Sequence, residues 1–132
     1  MAEKLQSPPD VGNRWTPLLT KKGWTPVVNS FLDNYHRLDP PMKYAEAMFV
    51  IHLVRYKWGS DKPYPSFKTL GLRMGISPQA ARIIARNLQK KNYLVREFTT
   101  GETNRFNLRK LFDALEMLEM SSIQKAPSEK AS

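Results

Sequence analysis

The chain has 132 residues, 41% hydrophobic and with three tryptophans, which suits one folded core and excludes a wholly disordered polypeptide. It has no cysteine, which excludes disulfides and thiolate metal sites and suggests a reducing compartment. The net charge of +9 is concentrated: residues 61–110 carry eleven basic and three acidic groups, whereas residues 111–132 carry two and four, so a polyanion is the natural partner of the middle of the chain.

Met1 to Gly12 reads as a loose polar tail with Pro8-Pro9 extended and no signal-peptide character. A near-repeat follows, Trp15-Thr16-Pro17-Leu18-Leu19 and Trp24-Thr25-Pro26-Val27-Val28, around Gly23. It is expected either to form an edge hairpin, with Pro17 and Pro26 barring it from a sheet centre, or to use its tryptophans to cover core. Val28 to Leu38 reads as a helix with Phe31, Tyr35 and Leu38 inward, ended by Asp39-Pro40-Pro41. Lys43 to Trp58 is the longest helix expected. One stripe is Tyr44, Ala47, Met48, Ile51 and Val54; a second is Phe49, Val50 and Leu53. Such a helix belongs at the centre of a core or against a second subunit. Its longest apolar run, Ala47 to Val54, contains His52 and is too short to span a bilayer, so a cytoplasmic location is expected. His52 fits a neutral core or boundary role. With only His36 as companion, neither a metal nor a cofactor is expected.

Gly59 to Pro65 reads as a loop. Ser66 then caps a helix from Phe67 to Met74, Gly75 ends it in the left-handed conformation, and Ser77-Pro78 opens the next helix. Ala81, Ile84, Ala85 and Leu88 form the hidden stripe of that second helix, leaving Gln79, Arg82, Ile83, Arg86 and Lys90 outward. Asn92 is a left-handed cap. Tyr93 to Phe98 and Asn104 to Leu108 read as strands joined by a turn at Thr99 to Thr103. Lys110 to Met120 reads as an amphipathic helix with Leu111, Leu115 and Leu118 inward, and Ser121 to Ser132 as a disordered tail. The expected division is a tail or edge hairpin over 1–24, one domain over 25–120 and a tail over 121–132.

The order helix, helix, turn, helix, hairpin resembles the winged helix-turn-helix family, a mainly α fold with a small β-hairpin wing. The residues that carry the resemblance are TLGLRMGISPQAARIIARNLQKKNYLV followed by REFTTGETNRFNL, with Leu70, Met74, Gly75, Ile76, Ser77, Ile84, Leu88, Leu94, Arg105 and Phe106 matching the family pattern. There are three departures. Gly71 stands where alanine is usual, at a helix cost of around 1 kcal/mol. Ala80-Ala81 replaces a frequent Thr-Val, and Asn92 replaces glycine. The upstream layout is similar to winged-helix domains of plasmid and phage replication initiators and DnaD-like primosome proteins.

The resemblance implies double-stranded DNA as partner, in transcriptional control or replication initiation. It sends the helix opened by Ser77 and Pro78 into the major groove, with Gln79 suited to adenine, Arg82 or Arg86 to guanine and Ile83 to a thymine methyl. Lys90 is expected on phosphate, and Arg86 either there or on a base. The helix N-terminus itself favours a phosphate. The hairpin tip, Thr99, Thr100, Thr103 and Asn104, with Arg96 and Arg105, is expected along the minor groove or backbone, with Lys62 and Lys68 as phosphate clamps. No nucleophile elbow or phosphate-cradling glycine loop is present, so an enzyme is not expected. The competing reading is a protein-docking or oligomerisation module governed by Phe49 and Phe112, with a dimer seam along Lys43–Trp58 and Leu111–Met120.

Overall fold

A computed structural model describes residues 9–56, 66–97 and 105–125. Within them run α1 (Pro9–Arg14), α2 (Pro17–Thr20), α3 (Asn29–Asn34), α4 (Tyr44–Val54), α5 (Phe67–Met74), α6 (Pro78–Lys90), β1 (Val95–Glu97), β2 (Arg105–Asn107) and α7 (Arg109–Lys125). The fold is mainly helical with one small antiparallel sheet, in which Val95 pairs with Asn107, Arg96 with Phe106 and Glu97 with Arg105.

The core forms where α4, α5 and α6 meet. Phe49, Leu53, Leu70, Leu88, Leu94 and Leu111 have essentially no exposed side-chain surface, and each such side chain contributes about 1.5–3 kcal/mol by leaving water. Phe106 of β2 closes one end by packing edge-on against Phe49 and Phe67, at centroid distances of 6.2 and 5.9 Å. Phe49 is thus interior and cannot govern docking, while Phe112 is half-buried.

The central position of α4 follows the expectation, but its inner face differs. Glu46, Ala47, Phe49, Val50 and Leu53 are buried, whereas Tyr44 is 82% exposed and Met48 about half exposed. Two stripes cannot both face one core, and the pair with the larger fully enclosed side chains, Phe49 and Leu53, takes the inside. The helix was expected to reach Trp58, which lies outside the described residues.

No hairpin forms over 15–28. Thr16 Oγ1 accepts a hydrogen bond from the Leu19 amide at 3.1 Å and Pro17 takes the first helical position, so Thr-Pro starts the short helix α2 rather than a strand. Nor are the tryptophans buried in the core: Trp15 is 67% exposed and Trp24 about half exposed. The expected loose tail gives way to α1 from Pro9, a residue tolerated in a first turn. The helix expected to reach Leu38 ends at Asn34, whose side-chain amide donates to the Ser30 carbonyl at 2.8 Å; Phe31 and Leu38 are still buried. At the other end α7 runs through Ser121 to Lys125 instead of stopping at Met120, because no glycine or proline precedes Pro127 to stop propagation.

Gly71 proves to be a packing requirement. A Cβ there would stand 2.7 Å from the Ile76 carbonyl oxygen and 3.1 Å from Ser77 backbone atoms, because the turn after α5 folds back onto that helix. The Ile76 amide donates to the Gly71 carbonyl at 2.8 Å, which fixes the approach. Alanine would gain about 1 kcal/mol of helix propensity but force rigid backbone apart. Gly71→Ala is therefore expected to lose roughly 2 kcal/mol net, read as a lower urea midpoint with an unchanged slope.

Candidate nucleic-acid interface

The exposed face of α6 is built by three local devices. Ser66 Oγ accepts from the Thr69 amide at 3.2 Å and starts α5. Gly75 adopts φ 75° and stops it, reversing the chain without a Cβ penalty. Ser77 Oγ accepts from the Ala80 amide at 3.0 Å, and Pro78 opens α6. Ala81 and Ala85, both buried, let α6 pack closely on α5 and α4, and Leu88 anchors its far end. Gln79, Arg82, Ile83, Arg86 and Lys90 all face solvent, as the spacing anticipates.

The hairpin joins this face through Phe67. The Arg82 guanidinium lies 5.3 Å from the Phe67 ring centroid and that of Arg96, on β1, lies 4.8 Å from it. Two cations from different elements thus share one ring. Burial, and next the field of Arg82, lowers the Arg96 pKa from its ordinary value, yet an arginine stays charged in any physiological range. Arg82 also meets Gln79, with Nη1 donating to Oε1 at 3.4 Å.

The register separates Arg96 from Arg105. Side chains alternate along a strand, and Arg96 is paired with Phe106 while Arg105 is paired with Glu97. Arg96 therefore shares the face of Phe106 and Phe67, and Arg105 stands on the opposite face, half-buried. The two arginines expected on the nucleic-acid side of the hairpin thus stand on its two different faces. Lys68 is exposed on the first turn of α5. Lys62, Thr99, Thr100, Thr103 and Asn104 lie outside the described residues.

Lys91, one of the basic residues in the charged middle of the chain, is consumed internally. Its Nζ contacts Glu46 Oε1 at 2.7 Å and donates to the Pro41 carbonyl at 2.9 Å. The same Glu46 oxygen accepts from the Lys43 amide at 2.9 Å, capping α4. Asn92 takes φ 67°, as anticipated, and Tyr93 then donates its hydroxyl to the Pro40 carbonyl at 2.6 Å. These contacts tie the end of α6 to the segment before α4. Sequence reading missed Phe67 as the platform and Arg73, exposed on α5 with its guanidinium 5.9 Å from the Tyr56 ring. An aromatic residue beside a helix cap was the only sign of the first.

No protein family, curated sequence or solved structure matches the chain. Among the described residues, no helix is long and apolar enough to cross a membrane.

On the far side of α4, Lys22, Trp24, Ile51, His52 and Arg55 line an open cleft of about 420 Å³. Burial, then Arg55 and Arg73, lowers the His52 pKa from 6.5. The unfolded chain therefore binds the proton more readily than the folded one. The stabilising contribution of His52 is complete above 6.5 and is lost as pH falls through 6.5 toward the depressed folded value. Urea midpoints measured from about pH 7.5 to 5.5 should fall on acidification, and less so in His52→Gln.

Proposed function

We propose that the chain binds double-stranded DNA as a winged helix-turn-helix protein, α6 entering the major groove and the β1–β2 hairpin serving as the wing, in a transcriptional or replication-initiation role. The observation that carries this reading is the shared Phe67 platform, which joins the exposed cations of α6 to the hairpin as one positive surface. Gln79 and Ile83 supply hydrogen-bonding and methyl-packing capacity between the cations, which a surface made only for solubility does not require. Arg82 and Arg86 read guanine edges, Lys90 and Lys68 hold phosphate, and the capped N-terminus of α6, with Ser77 and Pro78, approaches the backbone. Arg96 contacts phosphate from the hairpin side.

Four to six phosphate contacts imply that the logarithm of the association constant falls with the logarithm of salt with a slope of roughly −4 to −5. Anisotropy titrations of a labelled duplex between about 50 and 200 mM salt measure it. An affinity indifferent to salt over that range overturns the reading. Selection from random duplexes then reports whether bases are read.

A further inference from the structure

Between α3, α4 and α7 lies a groove of about 180 Å³ whose walls, including Val27, Phe31, Val50, Val54, Phe112 and Leu115, are almost wholly apolar. The same chain carries an apolar segment that its own fold leaves uncovered. In and beside the four-residue helix α2, Trp15, Leu18 and Leu19 are 67%, 74% and 60% exposed. The main packing partner of α2 is α1. Three large apolar side chains in water on so short a helix gain little unless something covers them.

The charges match as well. Arg14, Lys21 and Lys22 flank the exposed segment. Along α7, Phe112, Glu116 and Glu119 recur at the spacing of one helix face, so two exposed carboxylates continue the line of a groove-wall residue. Ser30 donates to Glu119 at 2.7 Å, which holds that carboxylate beside α3 at the groove rim. A basic apolar segment and an acidic-rimmed apolar groove are complementary.

We propose that two copies of this chain associate by exchanging arms, residues 9–22 of each seating Trp15, Leu18 and Leu19 in the groove of the other. Gly23, at φ 96° with nothing within 4 Å of a Cβ placed there, is the hinge. The groove wall begins at Pro26, whose φ is fixed, so the span between hinge and wall is too short and stiff for the arm to turn back over its own groove. A second copy has no such restraint. The exchange is isologous, so each contact is made twice. Two tryptophans at about 150–250 Å² each, with four leucines, approach the roughly 1,000 Å² that a specific interface needs.

Sedimentation of the full chain without DNA tests this. A dimer is expected at tens of micromolar, and Leu18→Glu with Leu19→Glu should weaken it at least about tenfold. The thermal melt of the separated chains should not change, because both residues are exposed in the monomer. Lys21→Glu with Lys22→Glu should weaken association too, and adding Glu116→Lys and Glu119→Lys should restore it, a rescue that generic misfolding does not produce. Because the chain has no cysteine, Leu18→Cys and Val28→Cys chains can be mixed and oxidised, and a mixed dimer should form. A monomer at all concentrations, a dimer indifferent to the arm variants, or a mixture of the Leu18→Cys and Val28→Cys chains that forms no mixed disulfide overturns the proposal.

Discussion

Arg82→Ala combined with Arg86→Ala is expected to weaken duplex binding by about a hundredfold or more at moderate salt, since each well-made contact supplies about 1–3 kcal/mol. Both side chains are exposed, so the loss should come with little loss of fold. Arg82 adds one small stability component, the stacking on Phe67, worth about 0.5–1 kcal/mol at an exposed site. Exposed Arg37, in the turn after α3, serves as control: its removal lowers net charge by one, as each single α6 substitution does, but leaves affinity nearly unchanged. If Arg37→Ala lowers affinity as much as Arg82→Ala or Arg86→Ala alone, attraction is diffuse and α6 reads nothing. The two α6 positions should also differ from Lys90, whose loss weakens binding uniformly across sequences and flattens the salt slope by about one.

The second large effect concerns stability. Lys91→Met should cost about 3 kcal/mol, because it leaves the Glu46 carboxylate, only 3% exposed, without its cation. The Lys43 amide and the dielectric of the interior cannot replace that partner. For a domain of this size the melting temperature should fall by roughly 10–15 °C. Glu46→Gln in the same chain should recover part of the loss, since a neutral amide needs no counter-charge and can still accept from the Lys43 amide. Urea unfolding of the two single variants and the double variant gives the coupling directly. DNA affinity of Lys91→Met, measured well below its melting temperature, should stay near that of the parent, in contrast to its neighbour Lys90. A Lys91→Met chain as stable as the parent would show that the buried pair is dispensable.

Much of the helical core was legible in the chain because its determinants are local. Ser66, Gly75, Ser77, Pro78 and Asn92 each fix one backbone turn through their own geometry, and all five behave in the structure as their chemistry dictates. The 3.6-residue spacing of Ala81, Ala85 and Leu88 likewise fixes which side of α6 is hidden, and so which side presents Gln79, Arg82 and Arg86. Thr16-Pro17 carried a helix-start signal of the same kind, but the alternation of apolar residues around it masked that signal, and the segment read equally as a strand.

What the sequence by itself determined is therefore the caps, the turns, the basic face of α6 and the concentration of positive charge between residues 61 and 110. Only tertiary structure decided the rest. It assigned the inner face of α4 to Phe49 and Leu53, because two apolar stripes on one helix are equivalent until a neighbour arrives. It made Gly71 obligatory through an approach of backbone to backbone, which no propensity encodes. It withdrew Lys91 from the charged surface and placed Arg96 beside Arg82 on Phe67, with Arg105 on the far side. Caps and periodicities act within a few residues and can be read along the chain; charge pairing and close approach join residues tens of positions apart and exist only once the elements have met.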